Sequence, residues 1–123
     1  MGKFLSKNAI EAACDRRTIE VEVPEWGGMV RLVAPCAGDS ERYQFKHRAS
    51  LERTQSGEVA GGIVTSELVC MCLCDDEGKR MFADAEVAEF ARTHSGLVVE
   101  RLWKQCLDLC GLSERAQKDA EKN

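Results

Sequence analysis

The sequence predicts an α+β fold in which an N-terminal β-hairpin packs on a mainly α-helical domain covering residues 1–112. Three observations predict it. Thr18-Ile19-Glu20-Val21-Glu22-Val23 alternates in polarity with period two, the mark of a strand with one buried and one wet face. Pro24-Glu25-Trp26-Gly27-Gly28 then supplies turn chemistry before Met29-Val30-Arg31-Leu32-Val33 returns. Beyond Pro35, apolar residues recur at three- and four-residue steps, as amphipathic helices require.

Each element follows in order. Ser6 is placed to cap a short first helix running to Asp15, with Ile10 and Ala13 or Cys14 turned inward. The hairpin spans about residues 18–34, with Val30 and Leu32 on one face opposite Arg31. Pro35 and Gly38 end it, and Asp39 or Ser40 caps a helix over about 39–54 whose acids precede its bases, the order the helix dipole favours. Residues 55–62 read as a polar loop. The most apolar helix, about 63–74, is expected at the centre of the core. Asp75 to Arg80 forms a turn with Gly78 at its tightest point. Asp84 caps a helix over about 84–92 with Val87 and Phe90 facing inward, and Ser95 caps the last, about 95–110, which Gly111 closes. The polar tail 113–123 is expected to fray.

Composition narrows the function. With 123 residues, 44% hydrophobic and 31% charged, the chain can bury roughly two thirds of its unfolded surface without disulfide staples, which excludes intrinsic disorder. A net charge of −4 disfavours nucleic acid as a partner. No apolar run is long enough to span a membrane, and the short match of Met1 to Ser6 to a myristoylation pattern carries little weight. Arg42, Lys46, His47, Arg48 and Arg53 concentrate positive charge on one helix, where they complement its dipole.

No catalytic constellation is visible. His47 and His94 lie outside any nucleophile motif, and neither glycine pair has the strand-to-helix context of a phosphate loop. Lys79 and Arg80 occupy positions where a calcium loop needs oxygen ligands. Seven cysteines, an odd number, read as free thiols of a reducing compartment. Cys70, Cys72 and Cys74 invite a metal or redox reading, to which Cys106 and Cys110 could contribute, but structural zinc prefers wider ligand spacing and the flanking residues are plain core. Neither cofactor nor metal is therefore expected. The residues alone leave a small α+β adaptor or regulatory binding protein and a cysteine-based metal or redox protein as alternatives.

Two segments carry a family resemblance. Val21-Glu22-Val23-Pro24-Glu25-Trp26-Gly27-Gly28 with Val30-Arg31-Leu32, and Asp76-Glu77-Gly78-Lys79-Arg80-Met81-Phe82-Ala83-Asp84, resemble the tail assembly chaperones of long-tailed bacteriophages and their prophages. The order of elements agrees over residues 3–110, including the D-x-x-G-x-x-x-F turn that precedes the closing helices. The cysteine-rich central helix departs from the pattern, where plain aliphatics are expected.

The resemblance implies a non-enzymatic protein of the infected bacterial cytoplasm, absent from the finished virion. Its implied partners are the tape measure protein, a long hydrophobic helical protein that it keeps soluble, and the tail tube protein, which it helps to recruit. Some members of the family are also made as a longer product by translational frameshifting. For partner contact, Trp26 with Gly27, Gly28 and Arg31 is the first candidate, because a large aromatic beside two glycines at a turn can anchor a partner. The alternative is a ring folded back over the hairpin's own core. Trp103, in the middle of an amphipathic helix, reads as core. Surplus apolar faces on the helices from Ile63 and Leu97 raise self-association as a separate expectation.

Overall fold

The computed structural model describes residues 3–55 and 64–113. Strands β1 (Thr18–Val23) and β2 (Gly28–Val33) pair antiparallel with Val21 opposite Val30 and Glu20 opposite Arg31. The predicted alternation holds. Ile19, Val21, Val23, Val30 and Leu32 turn toward the core, while Thr18, Glu20 and Glu22 stay exposed. Pro24–Trp26 makes one 3-10 turn, and Gly27 reverses the chain at φ 80°, a conformation that a side chain would strain.

The helices begin with α1 (Lys7–Ala12), where the Ser6 hydroxyl accepts from the Ala9 N–H at 3.1 Å as expected. Its inward face is a correction. The helix stops at Ala12 rather than Asp15, none of its residues is buried, and Ile10 is 60% exposed. Six residues form too little helix to hold an apolar stripe against anything. Helix α2 (Ala37–Gln55) starts two residues before the predicted cap, so Asp39 sits inside the first turn and pairs with Arg42 instead.

Helix α3 (Val64–Cys72) is central, with Leu68, Val69, Cys70, Met71 and Cys72 all buried. It ends two residues earlier than the apolar run suggests. Leu73 and Cys74 form a third strand, β3, which pairs antiparallel with β2 so that Leu32 faces Leu73 and Arg31 faces Cys74. An apolar run reads alike as buried helix or buried strand, and the open edge of β2 decides between them by offering backbone partners. The turn that follows is built as predicted. Asp75 Oδ1 accepts from the N–H groups of Glu77 and Lys79, at 2.8 and 3.0 Å, and Gly78 adopts φ 82°.

Asp84–Glu86 is a 3-10 turn leading into α4 (Val87–Thr93), whose Val87 and Phe90 are buried as expected. Asp84 is not its cap. Its carboxylate pairs with Arg80 at 2.8 Å, and the Glu86 carboxylate reaches back to the Ala83 N–H at 3.0 Å to hold the start of the turn. Ser95 occupies the N-cap of α5 (Gly96–Cys110) with no hydrogen bond from its side chain, and Gly111 closes the helix at φ 73°. Val98, Val99, Leu102, Cys106 and Leu109 of α5 bury against α3, which also meets α2, α4 and β2.

Gln55, expected to open the loop, instead ends α2, and residues 56–62 of the predicted loop, Ile63, the Arg53 side chain and the tail after Ser113 lie outside the described residues. Among those described, no helix is long and apolar enough to cross a membrane.

Candidate partner-binding surface

The hairpin turn is fastened to the helices at two points. The half-buried Trp26 ring meets Phe90 edge-on at 6.3 Å between centroids and His94 at 5.1 Å. Phe90 in turn stacks on His94 at 4.4 Å and takes Phe82 edge-on at 5.1 Å, so four rings from three segments form one cluster. His94 Nδ1 lies 2.9 Å from the Phe90 carbonyl, which orients the imidazole. Beside it, Glu25 and Arg101 form a bidentate pair at 2.9 and 2.7 Å. Those hydrogen bonds, with one from its own backbone, hold the Glu25 carboxyl down at about 2.

Of the residues singled out for partner contact, Trp26 therefore packs on α4 rather than projecting from the turn. Gly27 supplies the reversal, and a side chain added at Gly28 would meet open space. Arg31 points elsewhere. It lies on the outer sheet face, where its guanidinium donates to Glu20 Oε1 at 3.1 Å and to the Asp76 carbonyl at 2.7 Å. The structure thus does not bring Trp26 and Arg31 into one patch.

Around Arg31 the outer face forms a groove of about 310 Å³ lined by Met29, Val30, Cys74 and Met81, with Glu20, Asp75 and Asp76 at its margin. Met29 and Met81 are 63% and 57% exposed. Sequence reasoning passed over both. The signal was Met29 itself, an apolar side chain on the strand face that period two assigns to water, directly opposite Glu22.

A second apolar groove runs between α2 and α5, lined by Tyr43, His47, Leu51, Trp103, Leu107 and Leu112. Trp103 Nε1 donates to the buried Tyr43 hydroxyl at 2.7 Å, and His47 stacks on the Tyr43 ring at 5.6 Å. Burial pushes the Tyr43 phenol up to about 12. On the same helix Lys46 pairs with Glu67 at 2.6 Å, so much of the basic stretch is committed to neighbours within the chain.

The sequence profile of a family described as phage tail assembly chaperone matches residues 5–123. The chain belongs to that family. A solved structure, that of the bacteriophage HK97 tail assembly chaperone, is similar to it with a TM-score of 0.58 and 25% sequence identity, over 83% of this chain and 90% of that one. No curated protein matches.

In this tail assembly chaperone the two segments that carried the resemblance lie on opposite sides of the same strand, β2. One is the hairpin with its Trp26 turn, and the other is the Asp75 turn that borders the methionine groove. Three of the cysteines meet in the core. Cys72 lies beside Cys106 and Cys110, the Cys74 thiol donates to the Arg31 carbonyl at 3.6 Å, and Cys70 is buried near Arg80 and Glu86. All seven are free thiols, and no group of three or more side chains among the described residues is arranged to hold a metal ion. Burial pushes Cys70 up to about 11. The Cys72 thiol also rises, first through its bond to Cys106 and then through burial, which keeps it protonated and unreactive.

Proposed function

We propose that this tail assembly chaperone works without catalysis, binding the tape measure protein and helping to recruit tail tube subunits in the cytoplasm of the infected bacterium. The family match over residues 5–123 carries the reading. The chain's surface supports it. Met29 and Met81 hold large apolar side chains in water, as a protein that shields the apolar faces of another chain requires.

Trp26, Gly27, Gly28 and Arg31 keep a place in the proposal, but in two roles. Trp26 and Gly27 set the shape of the turn, and Gly28 and Arg31 lie where a partner can reach them.

The test is co-expression of the tagged chain with the tape measure protein of the same phage, followed by purification through that tag. A soluble complex that the tape measure protein does not achieve alone supports the reading. An insoluble, unbound partner beside a folded chaperone removes it.

A further inference from the structure

We propose that the groove between Met29 and Met81 receives the apolar stripe of an amphipathic helix whose flanks carry Lys or Arg, a segment of the tape measure protein; this rests on the function proposed above. The floor of the groove is apolar and adaptable. Methionine is unbranched and polarizable, so a methionine-walled groove accepts varied aliphatic side chains along a helix. The two walls come from different elements. Met29 is the second residue of β2, and Met81 follows the Asp75 turn with its N–H bonded to the Leu73 carbonyl at 3.1 Å, so both backbones are fixed by the sheet.

The charge around the groove selects the partner's flanks. Glu20, Asp75 and Asp76 line it with Arg31 as the cation among them, and Glu22 lies directly opposite Met29 on β1. Its guanidinium is already committed to Glu20 and to the Asp76 carbonyl. Lys79 and Arg80 are taken up by Glu77 and Asp84. Glu22 and Asp76 have no ion pair among the described residues, so the rim presents uncompensated negative charge beside apolar walls. Basic residues next to an aliphatic stripe meet both features, whereas an acidic helix would be repelled.

The experiment uses the full tagged chain co-expressed with the tape measure protein. Met29→Glu, Met81→Glu and Asp76→Lys alter the groove; Phe45→Glu and Leu97→Glu alter apolar side chains that are each 74% exposed elsewhere. All five positions face water, and far-UV circular dichroism and melting temperature report whether each variant folds. The groove variants should lower recovered partner by about tenfold, a loss of about 1.4 kcal/mol, with the two controls within about twofold of wild type. Added salt should weaken the wild-type complex and leave the Asp76→Lys complex less affected.

Full recovery with folded groove variants overturns the inference while leaving the chaperone role intact, and so does an equal loss in groove and control variants. A wild-type chain that retains no partner removes both. If the groove variants leave partner recovery unchanged and instead reduce the chain's own mass in light scattering, a second copy occupies the groove and the inference fails.

Discussion

Arg101 grips Glu25 through both terminal guanidinium nitrogens, at 2.9 and 2.7 Å, across 76 residues of sequence. The pair clamps the hairpin turn to α5, and the contacts of the neighbouring Trp26 ring supply the apolar half of the same junction.

That clamp has an acid limb. Glu25 ionises at about 2 in the folded chain against an ordinary 4.5, so its contribution to stability is complete above 4.5 and is lost as pH falls from 4.5 toward 2. Melting temperature followed over that window should decline in the wild type. In Glu25→Gln this part of the decline should be missing, with the melting temperature at neutral pH lower than wild type.

Trp26→Ala should destabilise the chain. The ring is half-buried against Phe90 and His94, so about 2 kcal/mol is expected, below the ~3–5 kcal/mol of a fully buried aromatic. Urea unfolding measures it. An unchanged midpoint would mean that the ring contributes nothing to holding the turn.

Tyr43 and Trp103 should be energetically coupled. Trp103→Phe leaves the buried Tyr43 hydroxyl without its indole donor, which costs about 1–3 kcal/mol, while adding Tyr43→Phe removes the stranded group and should recover part of that loss. A double-mutant cycle reads the coupling, and additive losses would contradict it.

The thiols should divide by burial. Cys14 and Cys36 are exposed and should react with an aromatic disulfide reagent within the mixing time of a manual assay, whereas Cys70, Cys72 and Cys106 should wait for unfolding. The raised Cys70 value also sets an alkaline limit. The unfolded thiol ionises near 9.0 and the folded one near 11, so above 9.0 the unfolded chain is favoured and stability should fall as pH rises toward 11. Cys70→Ala should lessen that fall.

Much of the architecture was legible because it is written in local periods. The alternation of Thr18–Val23 set both faces of the hairpin, and the spacing of Val98, Leu102 and Cys106 marked the buried side of α5, although the same pattern took in Leu97, which is exposed, and passed over Val99 and Leu109, which are buried. The losses fall where local pattern stops deciding. Leu73 and Cys74 belong to a strand only because β2 lies beside them, and Ile10 faces water because a six-residue helix finds nothing to pack on. The methionine groove was hidden for a related reason. Arg31 and Asp76 stand 45 residues apart, and only the sheet brings Met29 and Met81 to one groove.

The passage from α3 straight into β3 bears on how the molecule acquires its shape. A two-stranded ribbon is marginal in water, and here the third strand arrives about forty residues after the second, carried in by the end of the central helix. The ribbon thus depends for its stability on a strand that lies far beyond it in sequence. The turn around Trp26 rests also on Phe90, His94 and Arg101, so a change that unseats the end of α3 should loosen β2 and, with it, both that turn and the trough beside Arg31.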